Sequence, residues 1–164
     1  MAVLPDVLEH GLRVVFCGTA VGEASARVGA YYAGPGNQFW SVLWRVGLTP
    51  RRLAPSEFRE LPLHGIGLSD LVKARAGGDA VLSADDFYTQ SLTDKIRQFA
   101  PMILAFNGKK AAETFLGRAV SYGLQDEKIG QTILFVLPST SGAARGYWDE
   151  SHWEALAAQV KGPA

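Results

Sequence analysis

The chain has 164 residues, 48% of them hydrophobic, and sixteen Lys and Arg are balanced by sixteen Asp and Glu. That length suits one domain with a sizeable core, while zero net charge means that any nucleic-acid surface has to be a local patch. No stretch approaches the roughly 20 apolar residues that span a bilayer, the lone Cys17 excludes an internal disulfide, and His10, His64 and His152 have no metal-ligand spacing, so neither membrane, metal nor cofactor is expected. Residues Met1 to Asp6 lack the basic leader and long apolar core of a signal peptide, which predicts a cytoplasmic protein.

In chain order, the first predicted strand is the apolar run Arg13 to Cys17, and it leads into the glycine-containing segment GTAVGEAS. Asn37 can cap a helix in which Phe39, Trp40, Leu43 and Trp44 recur at helical spacing, with Gly47 as the stop. A second strand is read at Gly65 to Leu68, ahead of Ser69 and Asp70, and the small-residue stretch Ala74 to Ala80 is read as a mobile loop. Ser83 and Asp86 form a capping-box pattern for a helix ending near Phe99, where Pro101 intervenes. The third strand, Met102 to Phe106, runs into Asn107-Gly108, followed by a helix over Lys109 to Leu116 that Gly117 ends. The fourth, Thr132 to Leu137, runs into LPSTSGAARGYW, and Ser151 with Glu154 patterns a final helix burying Trp153, Leu156, Ala157 and Val160.

Strands alternating with helices predict a single α/β domain over residues 1–164, a three-layer sandwich with a four-stranded parallel sheet flanked by helices. Ligands of open α/β sheets bind beyond the carboxyl ends of the strands, so the segments after each strand are the candidate site. The spacing of Gly18 and Gly22 fits neither a dinucleotide fingerprint nor a nucleotide-triphosphate loop. Tyr31 and Tyr32 suit either the core or, beside Gly34, Pro35 and Gly36, a surface aromatic face that stacks a planar ligand. Lys109 and Lys110 open a helix, where the positive helix end suits a phosphate; the alternative is ordinary solvated surface.

The runs VVFCGTAVGEAS, YYAGPGNQFW and LPSTSGAAR together resemble the mismatch-specific uracil-DNA glycosylase and thymine-DNA glycosylase family, within the wider uracil-DNA glycosylase superfamily, over roughly residues 10 to 160. The resemblance implies an enzyme that flips a damaged base out of DNA and hydrolyses its N-glycosidic bond. It implies a base pocket of Gly18, Thr19, Ala20, Gly22 and Ser25, with Tyr32 stacking on the base, Asn37 supporting the loop and Ser139 at the pocket edge. It further implies a DNA-entering segment of Ser141, Gly142, Ala143, Ala144 and Arg145.

Two departures from the family pattern carry weight. Ala20 stands where the family's Gly-Ile-Asn-Pro-Gly motif has the water-positioning asparagine, which moves the expected water activation to Asp70, with Glu23 as the alternative. The bland readings are a helix N-cap before Leu71 for Asp70 and a solvated charge, or a partner of Arg27, for Glu23. Ala143 replaces a larger apolar wedge, so relaxed discrimination of the opposite base is expected, with uracil-containing single strands and mismatched duplexes both accepted. No lysine matches a catalytic position of the family, which favours a monofunctional glycosylase over a Schiff-base lyase; a monomer acting without a cofactor is expected. Two alternatives remain: a non-catalytic module binding damaged or single-stranded DNA, motivated by Ala20, and a nucleotide-binding α/β hydrolase, weakened by the missing Gly-x-Ser-x-Gly elbow.

Overall fold

A computed structural model describes residues 4–76 and 86–162. Its elements are β1 (Val14–Val21), α1 (Glu23–Val28), α2 (Phe39–Arg45), a 3-10 helix (Pro55–His64), β2 (Ile66–Ala76), α3 (Asp86–Phe99), β3 (Ile103–Asn107), α4 (Lys109–Leu116), β4 (Gly123–Ile129), β5 (Thr132–Leu137), a second 3-10 helix (Gly142–Tyr147) and α5 (Glu150–Lys161). The strands form one sheet in the order β2-β1-β3-β5-β4. Four run parallel, and β4 pairs antiparallel with β5.

A central parallel strand is covered on both faces and therefore reads as a continuous apolar run. In β1, Val14 and Phe16 point into one core, with Phe39, Leu43, Trp153 and Leu156 of α2 and α5. Val15 and Cys17 point into the other, with Leu92 and Ile96 of α3 and Ala111 and Ala112 of α4. Trp153 is fully buried, stacks on Phe16 at 5.5 Å and donates its Nε1 hydrogen to the Pro138 carbonyl at 3.1 Å, tying α5 to the segment after β5. Cys17 is buried, as a small apolar residue in this strand should be. Among the described residues no helix is long and apolar enough to cross a membrane.

The α/β reading holds, with one strand more than expected. The fifth, GLQDEKI, lies at the sheet edge and alternates half-buried with exposed positions, so it lacks the apolar run that marks the others. Strand β2 runs on to Ala76, which places Asp70 inside a strand and overturns the alternative of a helix N-cap before Leu71. Ala74 to Ala76 belong to that strand rather than to a loop, whereas 77–80 and Ser83 lie outside the described residues. α4 ends at left-handed Gly117 as expected. α5 starts earlier than its Ser151-Glu154 pattern implies: Asp149 is the cap, its Oδ1 accepting from the Ser151 N–H at 3.0 Å.

Candidate functional site

The sheet order places β2 on one side of β1 and β3 on the other, so the chain connections diverge at β1 and leave a crevice beyond its carboxyl end. A cavity of about 340 Å³ opens there. Gly18, Thr19 and Ala20 come from β1, Asp70 from β2, Asn107 from the last position of β3, and Ser139 to Gly142 from the segment after β5. Tyr31, Tyr32, Gly34, Pro35 and Asn37 close the remaining side.

The parallel register sets Gly18 opposite Asp70. A Cβ at position 18 would stand 3.4 Å from Asp70 Oδ1 and 3.6 Å from the Tyr32 hydroxyl, so the missing side chain keeps clear the space on which carboxylate and phenol converge. Asp70 is only 4% exposed. A carboxylate this deep has a strong field because little water screens it.

Tyr32 adopts a left-handed backbone, φ 53°, an uncommon conformation for a bulky residue and one that functional sites retain. Its ring stacks on Phe39 at 4.1 Å. Burial, and then the neighbouring Asp70 charge, push its hydroxyl well above the usual tyrosine range, with the Asn107 side chain acting in the opposite sense. The phenol is therefore neutral at physiological pH, and among the described residues its buried oxygen has no hydrogen-bond partner of good geometry. Tyr31 has a structural role: its hydroxyl donates to the Pro5 carbonyl at 2.9 Å and its own carbonyl accepts from Trp40 Nε1 at 3.1 Å.

Local hydrogen bonds fix the walls. Ser25 Oγ accepts from the Ala33 N–H at 2.9 Å, and Asn37 Oδ1 accepts from the Phe39 N–H at 3.0 Å; the cap of α2 is Gln38, one residue later than expected, so Asn37 braces the turn before the helix rather than capping it. The segment after β5 is held by Thr140: its carbonyl accepts from Gln38 N–H, its N–H donates to Asn107 Oδ1, and its Oγ1 accepts from Asn107 Nδ2. Ser139 Oγ accepts from the Ser141 N–H, and Ser141 Oγ accepts from the Ala143 N–H to cap the second 3-10 helix. Gly142 lets this segment meet the Gly34 to Asn37 loop, since a Cβ there would reach the Pro35 carbonyl at 3.2 Å. The Arg145 guanidinium lies over Gly36, 3.4 Å from where a Cβ would be.

The cavity thus gathers Gly18, Thr19, Ala20, Gly22, Ser25, Tyr32, Asn37, Asp70, Ser139, Ser141 and Gly142, all expected from the sequence. Ala143, Ala144 and Arg145 continue along the adjoining 3-10 helix, and Lys109 and Lys110 stand exposed at the start of α4. Glu23 is the first residue of α1, and its side chain lies outside the described ones. The sequence reading missed Asn107 and Thr140 as wall residues. The available signal was a polar amide ending an apolar strand just before Gly108, which takes φ 111° and sits close to Ser139. Among the described residues no three of His, Cys, Asp and Glu cluster so as to hold a metal ion.

A sequence model described as the Uracil DNA glycosylase superfamily matches residues 5–159. A solution NMR structure of a candidate uracil DNA glycosylase from Methanosarcina acetivorans aligns with a TM-score of 0.61 at 24% identity over 96% of each chain, a likeness of fold.

Proposed function

The chain belongs to the Uracil DNA glycosylase superfamily, and from that premise we propose that it is a monofunctional DNA glycosylase, close to the mismatch-specific branch, that releases uracil and related damaged bases from DNA. The observation that carries the reading is the near-complete burial of Asp70, 4% exposed, in a cavity walled by the Tyr32 ring and the Asn107 amide. A cavity with the Asp70 carboxylate, the neutral phenols of Tyr31 and Tyr32 and the fixed amides of Asn37 and Asn107 suits a planar polar ligand better than a nucleotide-triphosphate or a dinucleotide.

In this reading the target nucleotide leaves the stack and its base enters the cavity against Tyr32. The Asp70 carboxylate accepts a proton from water as that water attacks the sugar carbon. The N-glycosidic bond breaks, its electron pair departs with the base, and the base takes a proton from solvent. The same carboxylate stabilises the cation-like sugar in the transition state. Thr19, Ala20 and the Asn107 amide line the cavity, and hydrogen-bond donors there would meet the charge gathering on the base.

Three cations beside the site could serve a DNA face. Lys109, Lys110 and Arg145 have no salt bridge among the described residues, a state they share with cations elsewhere such as Arg52, Arg97 and Lys128. Unpaired cations can exchange small counterions for phosphates without first breaking a salt bridge. The test is base release from a uracil oligonucleotide under single-turnover conditions, read as abasic-site cleavage. Binding without abasic product would instead establish the non-catalytic module that Ala20 motivates.

A further inference from the structure

Tyr147 ends the second 3-10 helix and is 75% exposed, although its neighbour Trp148 is packed against the core within 6.0 Å of Trp153. The anchored tryptophan fixes the backbone, so the tyrosine is presented outward from a rigid point. An isolated exposed aromatic is unremarkable. This one has company: two residues on lies Asp149, which faces His152, and the Tyr122 ring carries the His152 ring at 4.8 Å and Lys109 Nζ 4.5 Å from its centroid. Asp149 Oδ2 approaches His152 Nε2 at 3.6 Å. The 3-10 helix joins this cluster directly to the cavity, since its first residue, Gly142, lines the cavity wall.

We propose that Tyr147, with Tyr122, His152 and Lys109, forms a second nucleotide subsite on which an unpaired base flanking the flipped nucleotide of single-stranded DNA stacks. The proposal rests on the glycosylase reading of the cavity for its orientation. Aromatic faces beside a cation are the chemistry that holds single strands, because every base offers a π face and every linkage a phosphate. Lys109, with no carboxylate partner among the described residues, supplies the positive charge at the edge of the ledge, and Lys110 follows it in the same helix turn. Paired bases keep their faces inside the duplex stack, so the ledge discriminates by strand state rather than by sequence.

The test measures fluorescence anisotropy on a uracil-free single-stranded 12-mer and on the blunt duplex of the same sequence, with wild type, Tyr147→Ala and Tyr147→Trp. Loss of one base-stacking contact should weaken single-strand binding by about tenfold in Tyr147→Ala, leave duplex binding unchanged, and be restored by Tyr147→Trp. Equal single-strand affinity of Tyr147→Ala and wild type overturns the proposal, as does an equal loss on duplex. Uracil release from a uracil-containing duplex, whose flanking bases stay paired, is measured in parallel and should be the same in all three proteins. Because the anisotropy strand contains no uracil, failure of wild type to release base would sink the glycosylase reading and leave the ledge result standing.

Discussion

Asn107 and Thr140 hold each other through two hydrogen bonds, Asn107 Nδ2 donating to Thr140 Oγ1 at 2.9 Å and the Thr140 N–H donating to Asn107 Oδ1 at 3.0 Å. The pair joins the end of β3 to the segment after β5 and sets which edge of the amide carries its remaining donor and acceptor. Thr140→Val keeps the shape and the backbone bond but removes the acceptor. It should lower stability by about 1 kcal/mol and slow single-turnover base release by about tenfold, as expected for a misplaced positioning group. Thr140→Ser should behave as wild type. A Thr140→Val protein releasing base at the wild-type rate would mean that amide orientation is irrelevant to the reaction.

Asp70 and Glu23 are separated by one comparison. Asp70→Asn removes the buried charge while keeping the shape, and the single-turnover rate should fall by about 10²- to 10⁴-fold, with oligonucleotide affinity little changed. Glu23→Gln should stay within about threefold of wild type if its charge lies outside the chemistry. Near-wild-type chemistry in Asp70→Asn would remove Asp70 from the mechanism.

Tyr32 separates a ring's contribution from that of its hydroxyl. Among the described residues the buried oxygen has no hydrogen-bond partner of good geometry, with the Asn107 side chain acting on it, so Tyr32→Phe should be close to neutral, within about 1 kcal/mol. Tyr32→Ala removes the ring stacked on Phe39 and should destabilise by about 3 kcal/mol. Urea midpoints check both. Base release by Tyr32→Phe then reports whether the phenol itself acts on the substrate.

The site was legible wherever function is written in residue types and order. Gly18, Tyr32, Asn37 and the Ser139 to Gly142 segment could be placed because small, aromatic and turn-forming residues follow apolar runs. Asp70 was identified as a candidate but put in a loop, because periodicity stops reporting a strand once its apolar run ends; β1 pairing carries β2 onward through Asp70 to Ala76. The edge strand β4 was missed for the opposite reason, its half-solvated alternation resembling polar loop sequence. Asn107 and Thr140 meet across 33 positions of chain, and their pairing is a product of sheet register that no local pattern encodes.

Ala143 is exposed at the start of the second 3-10 helix. A methyl group fills little of the gap that a flipped nucleotide leaves, so discrimination among bases opposite uracil should be weak, within about fivefold across the four partners, because a wedge residue supplies much of that contact. Ala143→Leu should raise duplex activity relative to single-strand activity. With few unpaired cations near the site, log affinity against log salt should have a slope of magnitude about 3 rather than 8. Strict dependence on guanine opposite uracil would refute the first expectation, and a steep salt slope the second.

Acid should weaken the fold through two surface carboxylates, Glu57 and Glu127. Hydrogen bonding from Arg51, then from the Ala54 N–H, lowers Glu57 from 4.5 to about 2, and hydrogen bonding from Arg118 lowers Glu127 to the same region. A folded-state pKa below the unfolded one means that the folded protein holds fewer protons between the two values. The associated stability is therefore complete above about pH 4.5 and disappears as pH falls through about 2. Water and salt screen both pairs, so the contribution is small and should shrink further in 0.5 M salt, where the screening length is only about 4 Å. Thermal midpoints measured from pH 5 to pH 2 should fall less in an Arg51→Gln, Arg118→Gln double variant than in wild type. Parallel curves for the two proteins would show that these pairs contribute nothing to the acid response.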